Sequence, residues 1–251
     1  MKIVTFNIRC LYIGDGINSF IHRAGIIYDT ITREKPDVIA FQEFKDHHLT
    51  MLSRLLPEYD YIGHFRDADY GGEGVYTAVR RDTCHVLGSE NVWLSPTPYV
   101  PGSRFENQST CPRTVLQTQI LHKESGRVFR VFNTHLDHAV EEARVLGMKA
   151  ALSFVDECQA KRELPFVLLG DFNAEPDSET IALLRTRSDM RDVTEDVTTT
   201  FHDFGKRSWK IDYIYLSHDL VDSVVSVTPW TDERDGIYLS DHYPVCAEIN
   251  M

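Results

Sequence analysis

Short apolar segments rich in Val, Ile, Tyr and Phe recur from the first residues of the chain to the last. Segments of this kind are typical of half-buried β-strands. They predict strands at Ile3–Asn7, Val38–Gln42, Tyr59–Gly63, Gly74–Arg80, Cys84–Asn91, Thr114–His122, Val128–Thr134, Phe166–Gly170, Ile211–Leu216, Val224–Pro229 and Val245–Ile249. The chain is therefore expected to begin and end in a strand.

Between some of these strands, apolar residues lie three and four positions apart, which predicts amphipathic helices. The four predicted helices are His22–Glu34 (apolar face Ile26, Ile27, Thr30, Ile31), Asp46–Leu56 (Leu49, Leu52, Leu55, Leu56), Val140–Lys161 (Val145, Met148, Leu152, Val155) and Ser178–Arg185, with Ser178 as N-cap. Together the elements predict an α/β (α+β) fold in which helices pack outside two stacked sheets.

Length and composition are ordinary for one globular domain. The 251 residues contain no linker, repeat or low-complexity tract, so residues 1–251 are expected to form a single domain. No apolar run approaches the roughly 18 residues of a membrane span, and a strand rather than a signal region follows Met1. A cytoplasmic monomer is expected. Five cysteines without a Cys-x-x-Cys pair argue against a disulfide framework and a thiolate metal site.

The formal net charge of -12 bears on possible partners. Proteins that wrap long nucleic acid usually present a basic face, because contacts of Lys and Arg with phosphates supply most of the affinity. Nucleic acid is therefore a possible partner, but a broad duplex-binding surface is not expected. Lys206, Arg207 and Lys210 beside Trp209 are interpreted either as a phosphate-gripping cluster or, preferably, as a solvated turn.

The segment from Trp93 to Pro112 has little periodicity and contains four prolines. Loops of this length inside a compact domain are usually functional or mobile. Because Arg113 follows it directly and opens a predicted strand, we interpret this segment as the rim of an active site.

Polar residues follow several predicted buried strands. The apolar run Phe166–Leu169 is followed by Gly170 and then by Asp171 and Asn173, which are suited to orienting a water and to donating to a phosphate oxygen. An ordinary Asp/Asn turn is the alternative. Ligands in layered α/β folds collect at such strand ends.

Two further strands end in the same way. Val128–Thr134 leads to His135, Asp137 and His138, for which phosphate binding is favoured over zinc, because on an extended chain the two histidines would face opposite sides. Val38–Gln42 leads to Glu43, a hard oxygen ligand of the kind that Mg²⁺ takes, or else a surface residue opening the next helix.

Asn7 and Arg9 close the first strand and are expected on the same side of an extended chain. Asn7 could hydrogen-bond a metal-bound water or a carboxylate, and Arg9 could bind an anion. Asp212 lies inside an apolar strand, where a carboxylate needs a partner, and His242 is the economical one. Such a pair would fix the imidazole and leave Asp241 for a metal or a water. A nucleophilic serine is disfavoured because there is no Gly-x-Ser-x-Gly motif.

Six motifs occur in one order: Asn7, Gln42-Glu43, Asn133-x-His135, Gly170-Asp171-x-Asn173, Ile211-Asp212-Tyr213 and Ser240-Asp241-His242. Together they resemble the endonuclease/exonuclease/phosphatase superfamily of deoxyribonuclease-like, metal-dependent phosphoesterases, and in particular its small bacterial-type members. The resemblance extends over essentially the whole chain. Each motif is weak alone, whereas six in the correct order are specific.

The resemblance implies a four-layer αββα sandwich, with two mixed β-sheets packed face to face between outer helices, and dependence on Mg²⁺ or Mn²⁺. By position, the chain's candidate residues are Glu43, Asp241 and Asn7 on the metal side, Asp171, Asn173, His135, Asp212 and His242 for catalysis, and Arg113, His138 and Arg9 for substrate phosphate. Either Asp171 or the Asp212–His242 pair would be the general base, and one or two metals would take part. His138 departs from the Asn of many DNA-repair members.

The expected activity is therefore that of a divalent-metal-dependent phosphodiesterase or phosphatase, in which an activated water attacks phosphorus in line. Its substrate is expected to be small or single-stranded: an oligonucleotide, nucleotide, sugar phosphate or lipid phosphate. The alternatives are a duplex DNA-repair nuclease and an inactive binding protein on the same scaffold. The second is less favoured because none of the catalytic side chains is missing.

Overall fold

The computed structural model describes all residues from 1 to 251. The strands are β1 (Lys2–Asn7), β2 (Val38–Phe44), β3 (Tyr59–Phe65), β4 (Gly74–Arg80), β5 (Cys84–Trp93), β6 (Thr114–His122), β7 (Val128–His135), β8 (Phe166–Asp171), β9 (Met190–Asp192), β10 (Asp212–Ser217), β11 (Val224–Pro229), β12 (Glu233–Arg234), β13 (Ile237–Tyr238) and β14 (Val245–Ile249). The helices are α1 (Phe20–Glu34), α2 (Asp46–Leu55), α3 (Glu141–Lys161), α4 (Glu179–Arg185) and α5 (His218–Val221), and a 3₁₀ helix covers Ile13–Asn18.

Two mixed six-stranded sheets form the centre of the molecule. The first has the strand order β11-β14-β1-β2-β4-β3 and the second the order β5-β6-β7-β8-β10-β9. Each sheet contains one parallel pair, β1 with β2 and β7 with β8, and its other pairs are antiparallel. The parallel pairs lie near the middle of each sheet, so the ends of β1, β2, β7 and β8 are flanked by other strands.

Three apolar clusters fill the spaces between four layers. One lies between the first sheet and helices α1 and α2, and includes Phe6, Ile27 and Leu52. A second lies between the two sheets and includes Val38 and Leu169. A third lies between the second sheet and helices α3 and α4. The four-layer αββα sandwich expected from the sequence is therefore confirmed, since each space excludes water from apolar side chains of both layers.

All predicted strands and helices are present, with ends that differ by at most two residues. Ser178 caps α4 as predicted, accepting a hydrogen bond of 3.3 Å from Ile181 N. Leu55 was placed on the buried face of its helix but is 39% exposed. The short elements β9, β12, β13 and α5 were not predicted, because segments of two to four residues carry too little periodicity. None of the helices combines the length and the hydropathy needed to cross a lipid bilayer.

Gly170 lets β8 approach β7 closely at the end that carries Asp171. Its φ of 142° is one that side chains rarely adopt, and an added Cβ would lie 1.9 Å from the carbonyl oxygen of Thr134 on the neighbouring strand. The parallel ladder pairs Thr134 with Gly170 and His135 with Asp171. The glycine therefore places the imidazole of His135 beside the carboxylate of Asp171.

Candidate active site

The ends of several strands meet around the carboxylate of Asp171, which is buried. Its Oδ2 accepts a hydrogen bond of 2.9 Å from Asn7 Nδ2 at the end of β1, in the other sheet. The same oxygen lies 3.5 Å from His135 Nε2 and 3.8 Å from His242 Nε2. The Oδ1 atom accepts the backbone N–H of Asn173 at 2.9 Å. Residues far apart in the chain are thus brought to one carboxylate.

His242 lies between Asp171 and Asp212, which occupy opposite positions on the antiparallel strands β8 and β10. Its Nδ1 is 2.8 Å from Asp212 Oδ2, and the ring of Phe201 packs edge-on against the imidazole. Burial opposes protonation of His242, but the charge and hydrogen bond of Asp212 and the charge of Asp171 outweigh it and raise the pKa of His242 to about 10. Burial and then Asp212 raise the pKa of Asp171 to about 7.

Glu43 is aimed at this region by an irregularity in β2. The pairing of β2 with β4 shifts register between Phe41 and Phe44, and Glu43 has a φ of 54°, as in a bulge that redirects a side chain. Glu43 accepts hydrogen bonds from Asn7 Nδ2 at 3.2 Å and from Cys10 N at 3.0 Å. Although burial opposes ionisation, these donors and nearby cationic groups hold the pKa of Glu43 below its usual value.

Asn7 connects the two carboxylates. Its Nδ2 donates to both Glu43 and Asp171, and its Oδ1 accepts the backbone N–H of Arg9 at 3.0 Å. The side-chain oxygen of Asn7 has a second lone pair that this hydrogen bond does not use. Asn7 thus bridges the two carboxylates through Nδ2.

Arg9 and Asp241 form a second charged contact at the site. Arg9 has a φ of 58°, so the chain is not extended there as the sequence analysis assumed. Its Nε lies 3.1 Å from Asp15 Oδ2 and 3.5 Å from Asp241 Oδ2. Asp241 also accepts a hydrogen bond of 3.0 Å from Ser240 Oγ, and its pKa is raised, mainly by burial. The guanidinium of Arg9 is thus paired with two carboxylates.

The fully buried Arg23 of α1 fixes the two segments that carry these residues. Its guanidinium donates to the carbonyl oxygens of Asn18, Ile8, Leu239 and Arg9 at 2.7, 2.8, 2.6 and 3.0 Å. Planar N–H groups on one fork can satisfy several backbone acceptors at once. Sequence reasoning missed Arg23, because its partners lie up to 216 residues away.

Asn173 closes the turn after β8. It has a φ of 50°, and its Nδ2 donates to the carbonyl oxygen of Leu136 at 3.1 Å. Its backbone N–H is bonded to Asp171. Asn173 therefore lies beside the central carboxylate and links the ends of β7 and β8.

Two groups of side chains offer metal-ligand atoms within 4.8 Å of one another: Cys10, Glu43 and Glu73, and Asp171, Asp212 and His242. In the first group, burial and the charge of Glu43 raise the pKa of Cys10 to about 12, so the thiol is protonated at neutral pH. The oxygens of Glu43 are hard donors, and Asp241, whose pKa is raised by burial and by the charge of Glu43, offers two more. Hard carboxylate oxygens fit Mg²⁺ or Mn²⁺.

Arg113 lies beside His135, and its guanidinium contacts His138. Arg113 is buried, and its Nη2 is 3.1 Å from His138 Nδ1, while His138 itself is exposed. Arg113, Arg66 and His135 line one recess. Burial and the charges of Arg113 and Arg66 hold the pKa of His135 well below its usual value, so its imidazole is neutral. No sequence motif pointed to Arg66 or to its partner Glu73.

Asp137, which lies between His135 and His138 in the sequence, makes hydrogen bonds that join two parts of the fold. Its Oδ1 accepts the backbone N–H groups of Ala139 and Val140 at 2.9 and 2.8 Å, just before α3. Its Oδ2 accepts hydrogen bonds from the backbone and hydroxyl of Ser109. Asp137 thus ties the loop that precedes Arg113 to the start of a helix.

The basic residues at 206–210 lie in different environments. Lys210 is buried, 3.2 Å from Asp192 Oδ2 and 2.6 Å from the carbonyl oxygen of Thr194. Arg207 lies over the exposed ring of Trp209, with its guanidinium carbon 4.7 Å from the ring centroid. The prediction of one cluster was wrong for Lys210, because an acidic partner from another part of the chain draws it inward.

The fold and this arrangement of residues define a class of protein. Residues 4–242 match the model of the Endonuclease/Exonuclease/phosphatase family, and the chain belongs to this family, whose members are hydrolases acting on phosphoester bonds. The resemblance inferred from the six motifs is confirmed.

Solved structures of two relatives are similar over nearly their full length. An endonuclease/exonuclease/phosphatase family protein from Bacteroides thetaiotaomicron has a TM-score of 0.90 at 27% identity, covering 98% of this chain and 93% of that one. A mannosyl-6-phosphatase from the same organism has a TM-score of 0.89 at 26% identity, covering all of both chains.

Mouse nocturnin is 23% identical over 292 aligned positions that cover all of this chain. The chain spans 59 to 66% of the length of the curated relatives it matches, a mimivirus protein and mouse nocturnin among them.

Proposed function

We propose that this protein is a divalent-metal-dependent hydrolase of phosphoesters, acting as a phosphatase or phosphodiesterase on small or single-stranded substrates. The observation that carries the proposal is the environment of Asp171. One buried carboxylate is within hydrogen-bonding or ion-pair distance of Asn7, His135 and His242, which come from three separate parts of the chain. Such convergence of acid, base and amide groups at strand ends is what a hydrolytic site requires.

Asp171 is the residue proposed to accept a proton from the attacking water. Its Oδ2 faces the two imidazoles, and its Oδ1 is fixed by the backbone of Asn173. His242 has committed Nδ1 to Asp212, so only Nε2 is left to face the substrate. We assign His242 the role of holding charge and a proton at Nε2, oriented by Asp212.

Glu43 and Asp241 would hold the cation, and Asn7 would orient Glu43 towards it. When bound, Mg²⁺ or Mn²⁺ supplies a positive charge that offsets the negative charge developing on phosphorus. The fit rests on the chemistry of the donors, because the half-buried carboxylate of Glu43 and the buried carboxylate of Asp241 both offer hard oxygen atoms.

His135, Asn173, Arg113, His138 and Arg9 are proposed to bind the phosphate of the substrate. His135 is neutral and faces Asp171, so it can donate one hydrogen bond without adding charge. Asn173 can donate through its amide group once it leaves the carbonyl of Leu136. Arg9 can exchange one of its carboxylate partners for a phosphate oxygen.

A small substrate is favoured by the distribution of charge. The net charge is -12, and half of the 26 Lys and Arg side chains are paired with carboxylates, as Arg207 is with Asp203 and Arg33 with Asp232. The mannosyl-6-phosphatase relative supports a sugar phosphate as one candidate. Residues of both sheets contribute to the site, so we propose that residues 1–251 act as one catalytic domain.

The proposal is tested by assaying p-nitrophenyl phosphate and bis-p-nitrophenyl phosphate with Mg²⁺, with Mn²⁺ and with EDTA, followed by a panel of nucleotides, RNA, DNA, sugar phosphates and lipid phosphates. Hydrolysis should require the metal and stop with EDTA. Asp171→Asn should lower turnover by about 10²–10⁴-fold, the usual contribution of an acid-base group. Asp156→Asn, a surface change, should leave it unchanged. Full activity in EDTA would refute the metal-dependent mechanism.

A further inference from the structure

Two arginines from separate loops line one small recess beside the proposed catalytic site. Arg66 and Arg113 meet there with His135 and Thr114, around a cavity of about 10 Å³. The larger cavities of the molecule measure about 260 to 510 Å³ and lie elsewhere. About 10–15 Å³ is the space that one water molecule needs, so this recess admits a single phosphate oxygen and excludes a carbon substituent. We call it the arginine recess.

Three guanidinium nitrogens in the arginine recess have no acceptor. Arg113 is 5% exposed, and its Nε and Nη1 are buried without a hydrogen-bond partner. It forms no ion pair, and only Nη2 is engaged, by His138. Arg66 pairs with Glu73 through Nη1 at 2.7 Å, but its Nε is also buried without a partner. Buried donors are normally satisfied, so these three point to an anionic ligand.

The two loops hold these side chains in place. Arg66 lies in the turn between β3 and β4, and its carbonyl oxygen accepts Trp93 Nε1 at 2.7 Å. The loop that leads to Arg113 packs closely against the same turn. A Cβ added at Gly102 would lie only 2.7 Å from the backbone of Ala68. The recess is therefore built before any ligand arrives.

We propose that the arginine recess binds one terminal oxygen of the substrate's phosphate, so that the enzyme prefers phosphomonoesters to phosphodiesters. This inference rests on the proposed function. A monoester dianion has three terminal oxygens and two negative charges, so an oxygen that enters the recess is a strong acceptor for Arg66 and Arg113. A diester has two terminal oxygens and one negative charge, so it offers the recess fewer and weaker acceptors, and its second carbon substituent is too large to enter.

The reaction is balanced without any further reactant. The bond between phosphorus and the alcohol oxygen breaks, a bond from the water oxygen to phosphorus forms, and the alcohol takes a proton. Inorganic phosphate is the other product. It carries the same terminal oxygens as the substrate, so it binds the arginine recess and serves as a probe that needs no turnover.

The experiment compares wild type, Arg66→Gln and Arg113→Gln, with Arg191→Gln as the control because Arg191 is exposed and remote from the recess. For each protein, kcat/KM is measured on p-nitrophenyl phosphate and on bis-p-nitrophenyl phosphate. Binding of inorganic phosphate is measured by calorimetry in EDTA. Each recess variant should lose about tenfold or more in kcat/KM on the monoester, with less than about threefold on the diester, and should bind phosphate about tenfold more weakly.

Equal losses on both esters, or no loss on either, would overturn the preference. Thermal unfolding of each variant is recorded, and Arg113→Lys replaces Arg113→Gln where the latter does not fold, since lysine keeps the charge but not the planar fork. If wild type hydrolyses neither ester with any divalent metal, the proposed function fails. The titration with inorganic phosphate then tests by itself whether the arginine recess binds phosphate. An unchanged Kd in the Arg66 variant then overturns the recess, and a weakened one supports it.

Discussion

Asp171 and Asp212 lie opposite each other on β8 and β10, and the imidazole of His242 lies between their carboxylates. Two buried carboxylates on adjacent strands repel one another unless a cation stands between them. The imidazolium of His242 is that cation within the protein itself. The pairing of β8 with β10 thus defines the charge arrangement at the centre of the proposed site.

Asp212→Asn removes one of the two charges without changing shape. We expect kcat on p-nitrophenyl phosphate to fall by about 10²–10⁴-fold, because His242 loses the partner that orients it and stabilises its charge. The fold should remain, since relief of repulsion with Asp171 offsets the lost hydrogen bond. Circular dichroism and steady-state kinetics check both expectations, with Asp156→Asn as the surface control. Turnover within about threefold of wild type would contradict the role given to Asp212.

Arg23→Met tests the buried guanidinium behind the site. The change leaves four backbone carbonyls without their donors, among them those of Arg9 and Leu239. We expect a loss of about 2–5 kcal/mol in the free energy of unfolding, and a lower kcat because both segments shift. Arg33→Met on the same helix removes only exposed ion pairs and should cost less than about 1 kcal/mol. Urea unfolding of both variants makes the comparison, and equal losses would contradict it.

The sequence predicted what depends on neighbours along the chain. The apolar run Phe166–Leu169 specified a strand buried on both faces, and the polar residues after it specified where a site would form. Two kinds of feature were out of reach. The bulge at Glu43 depends on the register with β4, the recess around Arg66 depends on contact between distant loops, and the partners of Arg23 in α1 are backbone carbonyls of distant segments. Lys210 was misjudged because its burial depends on Asp192, which belongs to the distant strand β9.

Gly170→Ala tests whether the approach of β8 to β7 tolerates a side chain. The new Cβ would collide with the backbone of Thr134 at 1.9 Å, and the φ of 142° would be strained as well. We expect a loss of at least about 3 kcal/mol, or failure to fold, because backbone cannot move aside as a flexible side chain can. Gly25→Ala is the matched control.

Gly25 lies in the exposed middle of α1, and an added Cβ there meets nothing within 4 Å. Alanine should stabilise the protein by about 0.5–1 kcal/mol, because it restricts the unfolded chain and favours the helix. Both variants are compared with wild type by thermal and urea unfolding. A Gly170→Ala protein as stable as wild type would contradict the close packing of the two strands.

His48 in α2 makes the stability of the protein depend on pH. The side chain is fully buried against the ring of Phe20, and its Nδ1 accepts the backbone N–H of Lys45 at 3.0 Å. Burial, and then the charges of His47 and Arg23, lower the pKa of His48 to about 2. In the unfolded chain a histidine titrates near its ordinary value of about 6.5.

The direction of the pH effect on stability depends on whether the folded or the unfolded state binds a proton at His48. Above about pH 6.5 neither state does, and below it only the unfolded state does, so stability falls with decreasing pH until the folded pKa is reached. His48→Gln keeps an acceptor for Lys45 but does not titrate, so between pH 7 and pH 5 it should lose about 2 kcal/mol less than wild type. Urea unfolding in EDTA at both pH values measures this difference. The exposed His22 provides the control, because His22→Gln should follow wild type, and a His48→Gln protein that does the same would show that His48 is not buried in the neutral form.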